Sequence, residues 1–180
     1  MMPLRDSQAF VDLMTRFSNP LLGIAVGALF TALIQSSSAS VGILQALATS
    51  GAISFSSSVF ILFGQNIGTC ITAVLASIGT SRSAKRATII HLMFNMIGTV
   101  IFTFLFIMFP IAHVIDGQIP VAGLSGILPS TPAGQIAMVH TSFNIVSPLL
   151  FLPLGNYLAK AAVRILPDRP GDKVDQMHLE

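Results

Sequence analysis

The chain has 180 residues, of which 53% are hydrophobic and only 9% are charged. A soluble domain carries about 25% charged residues, so this composition argues against a soluble protein and indicates an integral membrane protein. The formal net charge of +2 comes without basic runs interleaved with aromatic residues, which excludes a nucleic-acid binding surface of the usual kind. The single cysteine, Cys70, excludes an internal disulfide.

The first segment, residues 1–20, mixes charged and apolar side chains. Arg5, Asp6, Asp12 and Arg16 are separated by apolar residues. This pattern predicts an amphipathic helix lying at the membrane surface and ending at Asn19-Pro20.

Residues 21–50 are apolar at both ends and polar in the middle, at Gln35-Ser36-Ser37-Ser38. They fall inside residues 17–81, which contain no Asp, Glu, Lys, Arg or His. One straight helix of about 30 residues would be about 45 Å long, too long for a hydrocarbon core of about 30 Å. Two arms of about 10 to 14 residues would each reach only the midplane. The length therefore favours a re-entrant helical hairpin with Gln35–Ser40 at its tip; a tilted or kinked span is the alternative.

Residues 53–79 form a second apolar segment with a polar centre, Gly64-Gln65-Asn66-Ile67-Gly68-Thr69. Two glycines with polar residues between them weaken a helix locally. In a membrane, unwound backbone is tolerated only inside protein or beside a wet cavity. The segment therefore predicts a discontinuous helix.

Two further transmembrane spans are predicted, at residues 87–110 and 135–163, the second bent near Pro148 and Pro153. With the hairpin and the discontinuous helix they make an all-α integral membrane protein. The transmembrane unit is expected to cover residues 21–163.

Basic residues indicate the orientation of these spans. The predicted loop Ser81–Arg86 and the tail 164–180 are rich in Lys and Arg, whereas residues 111–134 contain neither. By the positive-inside rule the loop and the tail are cytoplasmic and 111–134 faces outward. The last two residues of the tail, Leu-Glu, are typical of a cloning scar, and we expect the chain to be cut from a longer protein.

A short internal repeat links the last two spans. His91 and Asn95 recur as His140 and Asn144, with the same spacing of four residues, which puts each pair on one helix face. Because the two spans run in opposite directions, these faces are expected to flank one site. We interpret the four residues, with Ser40, as groups behind the solute contacts.

The polar residues at the two breaks suit both a cation and an oxyanion. Amide and hydroxyl oxygens are ligands for hard cations, and hydroxyls and helix N-termini bind oxyanions. An anion buried without Lys or Arg carries a large desolvation cost. A cation about 4 Å away attracts it by about 4 kcal/mol at an effective dielectric constant near 20. The sequence therefore predicts that one pocket binds both ions and that each ion strengthens binding of the other.

The polar and small residues also allow two other interpretations. Small residues in membrane helices often serve close packing, and Gly23-x-x-x-Gly27 fits that pattern. An intramembrane serine hydrolase is disfavoured, because there is no Gly-x-Ser-x-Gly motif and no acidic residue within the spans to orient a histidine.

Two segments resemble the paired signatures of the sodium-dependent phosphate cotransporter family (type II, with its bacterial relatives). They are Leu29–Ala39, LFTALIQSSSA, and Gly64–Thr69, GQNIGT, and the resemblance extends from about Asn19 to Ile101. It implies a multi-pass protein of the bacterial cell (inner) membrane that takes up inorganic phosphate with sodium. It also implies no enzymatic activity, no cofactor and no metal other than the transported sodium.

The resemblance further implies the binding residues. For phosphate they are Gln35, Ser36, Ser37, Ser38, Asn66 and Thr69, and for sodium they are Gln35, Ser38, Gln65, Asn66 and Thr69. In that family each signature occurs twice, in two inverted repeats, whereas this chain has each signature once. We therefore expect one inverted-repeat half of a transporter, resembling the second half. Its partner would be the missing first half or a second copy in inverted orientation. The alternative is a non-transporting membrane module that packs against another subunit.

Overall fold

The computed structural model describes residues 19–109, residue 111 and residues 128–168. The predicted surface helix of residues 1–20 therefore lies almost wholly outside the described residues, as does most of the tail. In the described part of the chain all regular structure is helical. The helices are α1 (Pro20–Ile34), α2 (Ser37–Thr49), α3 (Phe55–Gly68), α4 (Cys70–Ala76), α5 (Arg82–Met108), α6 (Pro132–Phe151) and α7 (Gly155–Ile165), with a 3₁₀ turn at Leu152–Leu154.

The polar run after α1 is a two-residue break followed by a new helix. Gln35 ends α1 in the left-handed region, with φ 58° and ψ 21°, and its backbone N–H bonds to the Thr31 carbonyl. Ser36 is extended and caps α2, because its Oγ accepts a hydrogen bond from the Ala39 N–H at 3.4 Å. Ser37 is thus the first residue of α2, and the tip of the structure is Gln35-Ser36.

Helices α1 and α3 run parallel and touch through their backbones. A Cβ added at Gly27 would lie 1.9 Å from the Ile61 carbonyl oxygen, and one at Gly68 would lie 2.4 Å from the Ala28 carbonyl oxygen. Gly64 meets the α1 backbone equally closely, at 2.0 Å. Glycine is required at all three positions, because any side chain would force the helices apart. In a bilayer, where lipid is as apolar as leucine, such close packing is a main source of helix association.

Helix α2 returns antiparallel to α3, so α1 and α2 form the predicted hairpin. The carbonyl of Ser40, near the start of α2, accepts a hydrogen bond from Gln65, near the end of α3. Residues 50–54 make the short connection at the other end. The tip lies near the level of Gln65, about halfway along the apolar stretch Phe55–Ala76. A hairpin of this depth has the geometry of a re-entrant loop.

The predicted discontinuity in the second segment is confined to one residue. Helix α3 continues through Gly68 and α4 resumes at Cys70. Thr69 between them keeps helical angles, φ −59° and ψ −27°, and its N–H still bonds to the Gln65 carbonyl at 3.0 Å. The expectation of unwound backbone from Gly64 to Thr69 was therefore wrong. The glycines serve the contact with α1 instead of loosening the helix.

Three stretches of the described residues are long and apolar enough to cross a membrane, namely Phe55–Ala76, Arg82–Met108 and Pro132–Ile165. Helix α6 alone has 20 residues, which at 1.5 Å per residue is about 30 Å, the thickness of the hydrocarbon core.

Helix α5 is longer at its start than the predicted span 87–110. It begins at Arg82 because Ser81 caps it, with Oγ accepting from the Ala84 N–H. Most of the predicted loop Ser81–Arg86 is therefore the first turn of α5. The helix ends at Met108, and Phe109, which precedes a proline, is extended as that position favours.

The predicted last span, 135–163, is two helices. Pro148 is accommodated inside α6, whereas Pro153 lies in the 3₁₀ turn that separates α6 from α7. Helix α7 packs back against α5 and exposes Lys160 and Arg164.

The end of α7 is held to the start of α5 by two arginines. Arg86 donates from Nε and Nη2 to the Leu166 carbonyl, at 3.0 and 2.9 Å, and pairs with the Asp168 carboxylate at 2.6 Å. Arg82 donates to the Pro167 carbonyl. These bonds fix α7 at the end of the bundle that the positive-inside rule assigns to the cytoplasm.

Helix α3 is the centre of the fold. Almost every residue from Ser57 to Gly68 is buried, as expected of a helix surrounded on all sides. The hairpin covers one side of it, and α5 and α6 cover the other through a cluster of phenylalanines that includes Phe63, Phe102 and Phe143.

Candidate functional site

The hairpin tip presents polar groups and a helix N-terminus at mid-bundle depth. Gln35 and Ser38 are exposed, and Ser36 and Ser37 are half-buried. The first N–H groups of a helix have no partner within the helix and carry a partial positive charge. Ser36 satisfies one of them, at Ala39. The start of α2 therefore remains an electropositive point suited to an oxyanion.

Four buried polar atoms on α1, α2 and α3 have no hydrogen-bond partner. They are Thr31 Oγ1, Ser40 Oγ, Gln65 Oε1 and Asn66 Nδ2. The side chains of Thr31 and Ser40 are fully buried, and those of Gln65 and Asn66 are 2% and 6% exposed. A buried polar group without a partner costs about 1–3 kcal/mol. Several such groups together indicate a place that water, an ion or a solute completes.

The packing of the hairpin on α3 brings three of these residues together. Gln65 donates from Nε2 to the Ser40 carbonyl at 3.1 Å. Thr31 lies against Gly68, where an added Cβ would be 2.9 Å from the threonine Cβ. Thr31, Ser40 and Gln65 are thus gathered around one turn of α3. Sequence reasoning did not assign Thr31 to the site, although Thr31 belongs to the LFTALIQSSSA segment.

Thr69 and Asn66 have different surroundings from those of the tip. The Thr69 hydroxyl donates to the Gln65 carbonyl at 2.9 Å, which leaves its oxygen lone pairs free to accept. Asn66 is followed one turn later by Cys70, whose sulfur lies 3.9 Å from the Asn66 carbonyl. Both residues continue the polar surface of α3 toward α4.

The repeated His-Asn pairs share one local geometry but not one site. Asn95 donates to the His91 carbonyl at 3.0 Å and Asn144 to the His140 carbonyl at 2.8 Å. Helices α5 and α6 cross antiparallel where Gly98 faces Phe143. His91 and His140 lie on opposite sides of that crossing.

The positions of the two histidines along α5 and α6 place them far apart. His91 lies seven residues before Gly98 and His140 three before Phe143, so the two histidines are on the order of 15 Å apart along the bundle. The expectation that both pairs flank one site was therefore wrong, because the crossing is offset from the repeats.

Asn95 has a role of its own next to α4. Its Nδ2 lies 3.4 Å from the Cys70 sulfur, and its side chain is 6% exposed. It joins α5 to the junction of α3 and α4, and so supports the helix that carries Gln65 and Asn66. Asn144, in contrast, is exposed on α6.

The site is built without formal charge. Residues 19–81, which include the whole hairpin and α3, contain no Asp, Glu, Lys, Arg or His. Among the described residues no three His, Cys, Asp or Glu side chains group as metal ligands. The available donors are amide and hydroxyl groups and a helix N-terminus, which can replace the hydration of small ions.

A helical membrane protein with a hairpin that stops at mid-depth, and with uncharged polar groups at its tip, has the architecture of a membrane transporter. Residues 6–117 match the Na+/Pi-cotransporter family, and the chain belongs to that family. Its members are transporters, not enzymes, and the family predicted from the two signatures is confirmed.

Three curated relatives match between about half and about four fifths of this chain. "Uncharacterized protein YqeW" of Bacillus subtilis is 33% identical over 144 residues, 80% of this chain and 43% of that protein. "Putative inorganic phosphate export protein YjbB" of Escherichia coli K12 is 27% identical over 150 residues, 83% of this chain and 25% of that protein. "Sodium-dependent phosphate transport protein 2A" of Rattus norvegicus is 36% identical over 90 residues, 47% of this chain and 14% of that protein.

The chain spans less than half the length of each of these relatives. No solved structure gives a significant match.

Proposed function

We propose that this chain supplies one half of the binding site of a sodium-coupled phosphate symporter. The observation that carries the proposal is the group of three unpartnered, buried oxygens beside the hairpin tip, on Thr31, Ser40 and Gln65. Uncharged oxygens are suitable ligands for Na+. Relatives named for inorganic phosphate export and for sodium-dependent phosphate transport suggest the identity of the two ions.

Phosphate is assigned to the exposed side of the tip. Gln35 and Ser38 are exposed there, and the N-terminus of α2 favours negative charge. The Ser36 and Ser37 hydroxyls are half-buried at the same point. A sodium ion among the buried oxygens would lie behind the phosphate and offset its desolvation.

The sodium assignment includes Asn66, on α3, and Thr69, at the junction of α3 and α4. The carbonyl oxygen of the Asn66 side chain and the Thr69 hydroxyl oxygen are further uncharged ligands. Asn95, whose Nδ2 lies 3.4 Å from the Cys70 sulfur at the start of α4, acts behind these contacts.

The exposed tip implies a second half. A polar tip at mid-depth in hydrocarbon would cost several kcal/mol for each unsatisfied group. Relatives are more than twice as long as the matched segment, which leaves room for another unit of similar size. The proposed partner is that unit or a second copy of this chain in inverted orientation.

The direction of transport is tested in proteoliposomes with imposed gradients. An inward sodium gradient should drive uptake of labelled phosphate, and an outward gradient should drive efflux from preloaded vesicles. Phosphate movement that is the same with choline in place of sodium would contradict coupling, and would favour the sodium-independent export that the name of YjbB allows.

The half-site is tested by cross-linking. Ser38→Cys in a Cys70→Ser background should form a disulfide-linked dimer in membranes if two copies meet at their tips. Thr49→Cys, at the exposed far end of α2, is the matched control and should stay monomeric. A strictly monomeric Ser38→Cys protein without phosphate flux would favour the alternative, a non-transporting module that packs against another subunit.

A further inference from the structure

A cavity of about 190 Å³ opens between α3, α5 and α6, away from the hairpin. It lies on the Phe63 side of α3, whereas Gln65 and the proposed ion site lie on the hairpin side. Apart from Ser142 the lining is apolar; it includes Phe63, Phe102, Leu105, Phe106, Met138 and Ser142. We propose that this cavity binds one acyl chain of a membrane phospholipid.

The chemistry of the lining excludes water as a stable occupant. A buried water needs two to four polar partners, and an apolar cavity of about 150 Å³ is known to stay dry and to bind benzene. Here the lining offers the Ser142 hydroxyl as its polar side-chain group. The volume corresponds to about six groups of the size of a water molecule, which suits a segment of hydrocarbon chain.

The cavity is held open by rigid aromatic contacts. Phe63 and Phe102 meet edge to face with centroids 6.1 Å apart, and Phe63 and Phe106 do so at 6.5 Å. Phe102 also contacts Phe143, at 4.9 Å. Rotation of a ring into the space would give up at least one of these contacts, each of which contributes about 0.5–1.5 kcal/mol.

The rim of the cavity is continuous with exposed apolar side chains of α5. Leu105 lies on its rim and is 36% exposed, and the neighbouring Phe104 and Ile107 are 60% and 58% exposed. These residues lie near the end of α5 opposite Arg82, within the stretch Arg82–Met108 that is long and apolar enough to cross a membrane. A lipid chain can therefore enter from the side without crossing a polar barrier.

The test uses a phospholipid that carries a photoreactive diazirine midway along one acyl chain. The full chain is reconstituted in vesicles of phosphatidylethanolamine and phosphatidylglycerol doped with this lipid, and labelled positions are mapped by mass spectrometry. Labelling should concentrate on Leu105, Met138 and Ser142 relative to Ile145, which is 56% exposed on α6 and outside the lining.

Two neighbouring variants sharpen the test. Ser142→Phe fills the cavity and should reduce labelling of Leu105 and Met138 several-fold. Thr141→Phe adds the same bulk one residue away, at an exposed position outside the lining, and should leave the labelling unchanged.

The distribution of lipid labelling on the wild-type chain tests the proposal even if Ser142→Phe does not fold. Labelling spread evenly over all exposed positions, with Met138 no more labelled than Ile145, would overturn the proposal, as would labelling that Ser142→Phe does not reduce. Replacement of Met138 by photo-methionine with cross-links to residues 112–127 instead of lipid would also overturn it, because the protein's own chain would then fill the cavity.

Discussion

Gln65 donates a hydrogen bond from Nε2 to the backbone carbonyl of Ser40, at 3.1 Å, and this bond ties the hairpin to the central helix. Its other amide atom, Oε1, is buried and unpartnered. One half of the side chain therefore positions the tip, and the other half is free to bind an ion.

Gln65→Leu should abolish sodium-dependent phosphate binding and lower the free energy of unfolding by about 1 kcal/mol, the net contribution of one such hydrogen bond. The matched control is Gln45→Leu, because Gln45 makes a similar bond from α2 to the Ala133 carbonyl, at 3.2 Å, away from the tip. Stability in detergent should fall by a similar amount in both variants, and only Gln65→Leu should lose binding. Equal loss of binding in both would mean that the amide acts through stability alone.

Gly64→Ala should separate α1 from α3, because the added methyl group would meet the Ile24 carbonyl oxygen at 2.0 Å. Overpacking of this kind costs about 1–3 kcal/mol, and thermal unfolding in detergent measures it. Gly42→Ala is the control: nothing lies within 4 Å of its added Cβ, and alanine should stabilise the exposed helix by up to about 1 kcal/mol. A neutral Gly64→Ala would contradict the backbone contact between α1 and α3.

Gln35 holds a left-handed conformation, φ 58°, that glycine adopts without strain. Gln35→Gly should therefore stabilise the fold by about 1 kcal/mol relative to Gln35→Ala, although both variants remove the amide and should weaken phosphate binding alike. Thermal unfolding and phosphate binding measured on the same samples separate the two effects. Full phosphate binding by Gln35→Gly would show that the Gln35 side chain does not contact phosphate.

Arg86→Ala should release the end of α7, because Arg86 makes two hydrogen bonds to the Leu166 carbonyl. Asp168→Asn should have a much smaller effect, since Asp168 is half exposed and exposed ion pairs contribute about 0–1 kcal/mol. Hydrogen exchange of α7 amides is the measurement. Faster exchange of α7 amides in Asp168→Asn than in Arg86→Ala would contradict this account. It would mean that the ion pair with Asp168, and not the bonds to the Leu166 carbonyl, holds the end of α7.

The hairpin was predictable from sequence because its evidence is local. A long uncharged stretch with Gln35–Ser38 at its centre exceeds the length of one straight span, which favoured a turn at mid-depth over a tilted or kinked span. The start of α5 was misplaced because Arg82, Lys85 and Arg86 were assigned to a loop, whereas a serine cap lets charged residues occupy the first turn.

What the sequence did not reveal depends on contacts between distant residues. Gly64 and Gly68 were interpreted as helix breakers, because the sequence does not show that α1 packs against them in the folded protein. Thr31 was left out of the site because a lone threonine in an apolar helix carries no pattern. The histidine pairs were placed together because spacing within a helix does not reveal where two helices cross.

The most direct test of the central claim is equilibrium binding of radiolabelled phosphate to the purified chain, in sodium and then in choline. The account predicts saturable binding in sodium that is lost in choline and lost in Gln65→Leu but kept in Gln45→Leu. Phosphate binding of equal strength in the two salts, or binding that survives Gln65→Leu, would contradict a shared sodium and phosphate site at the hairpin tip.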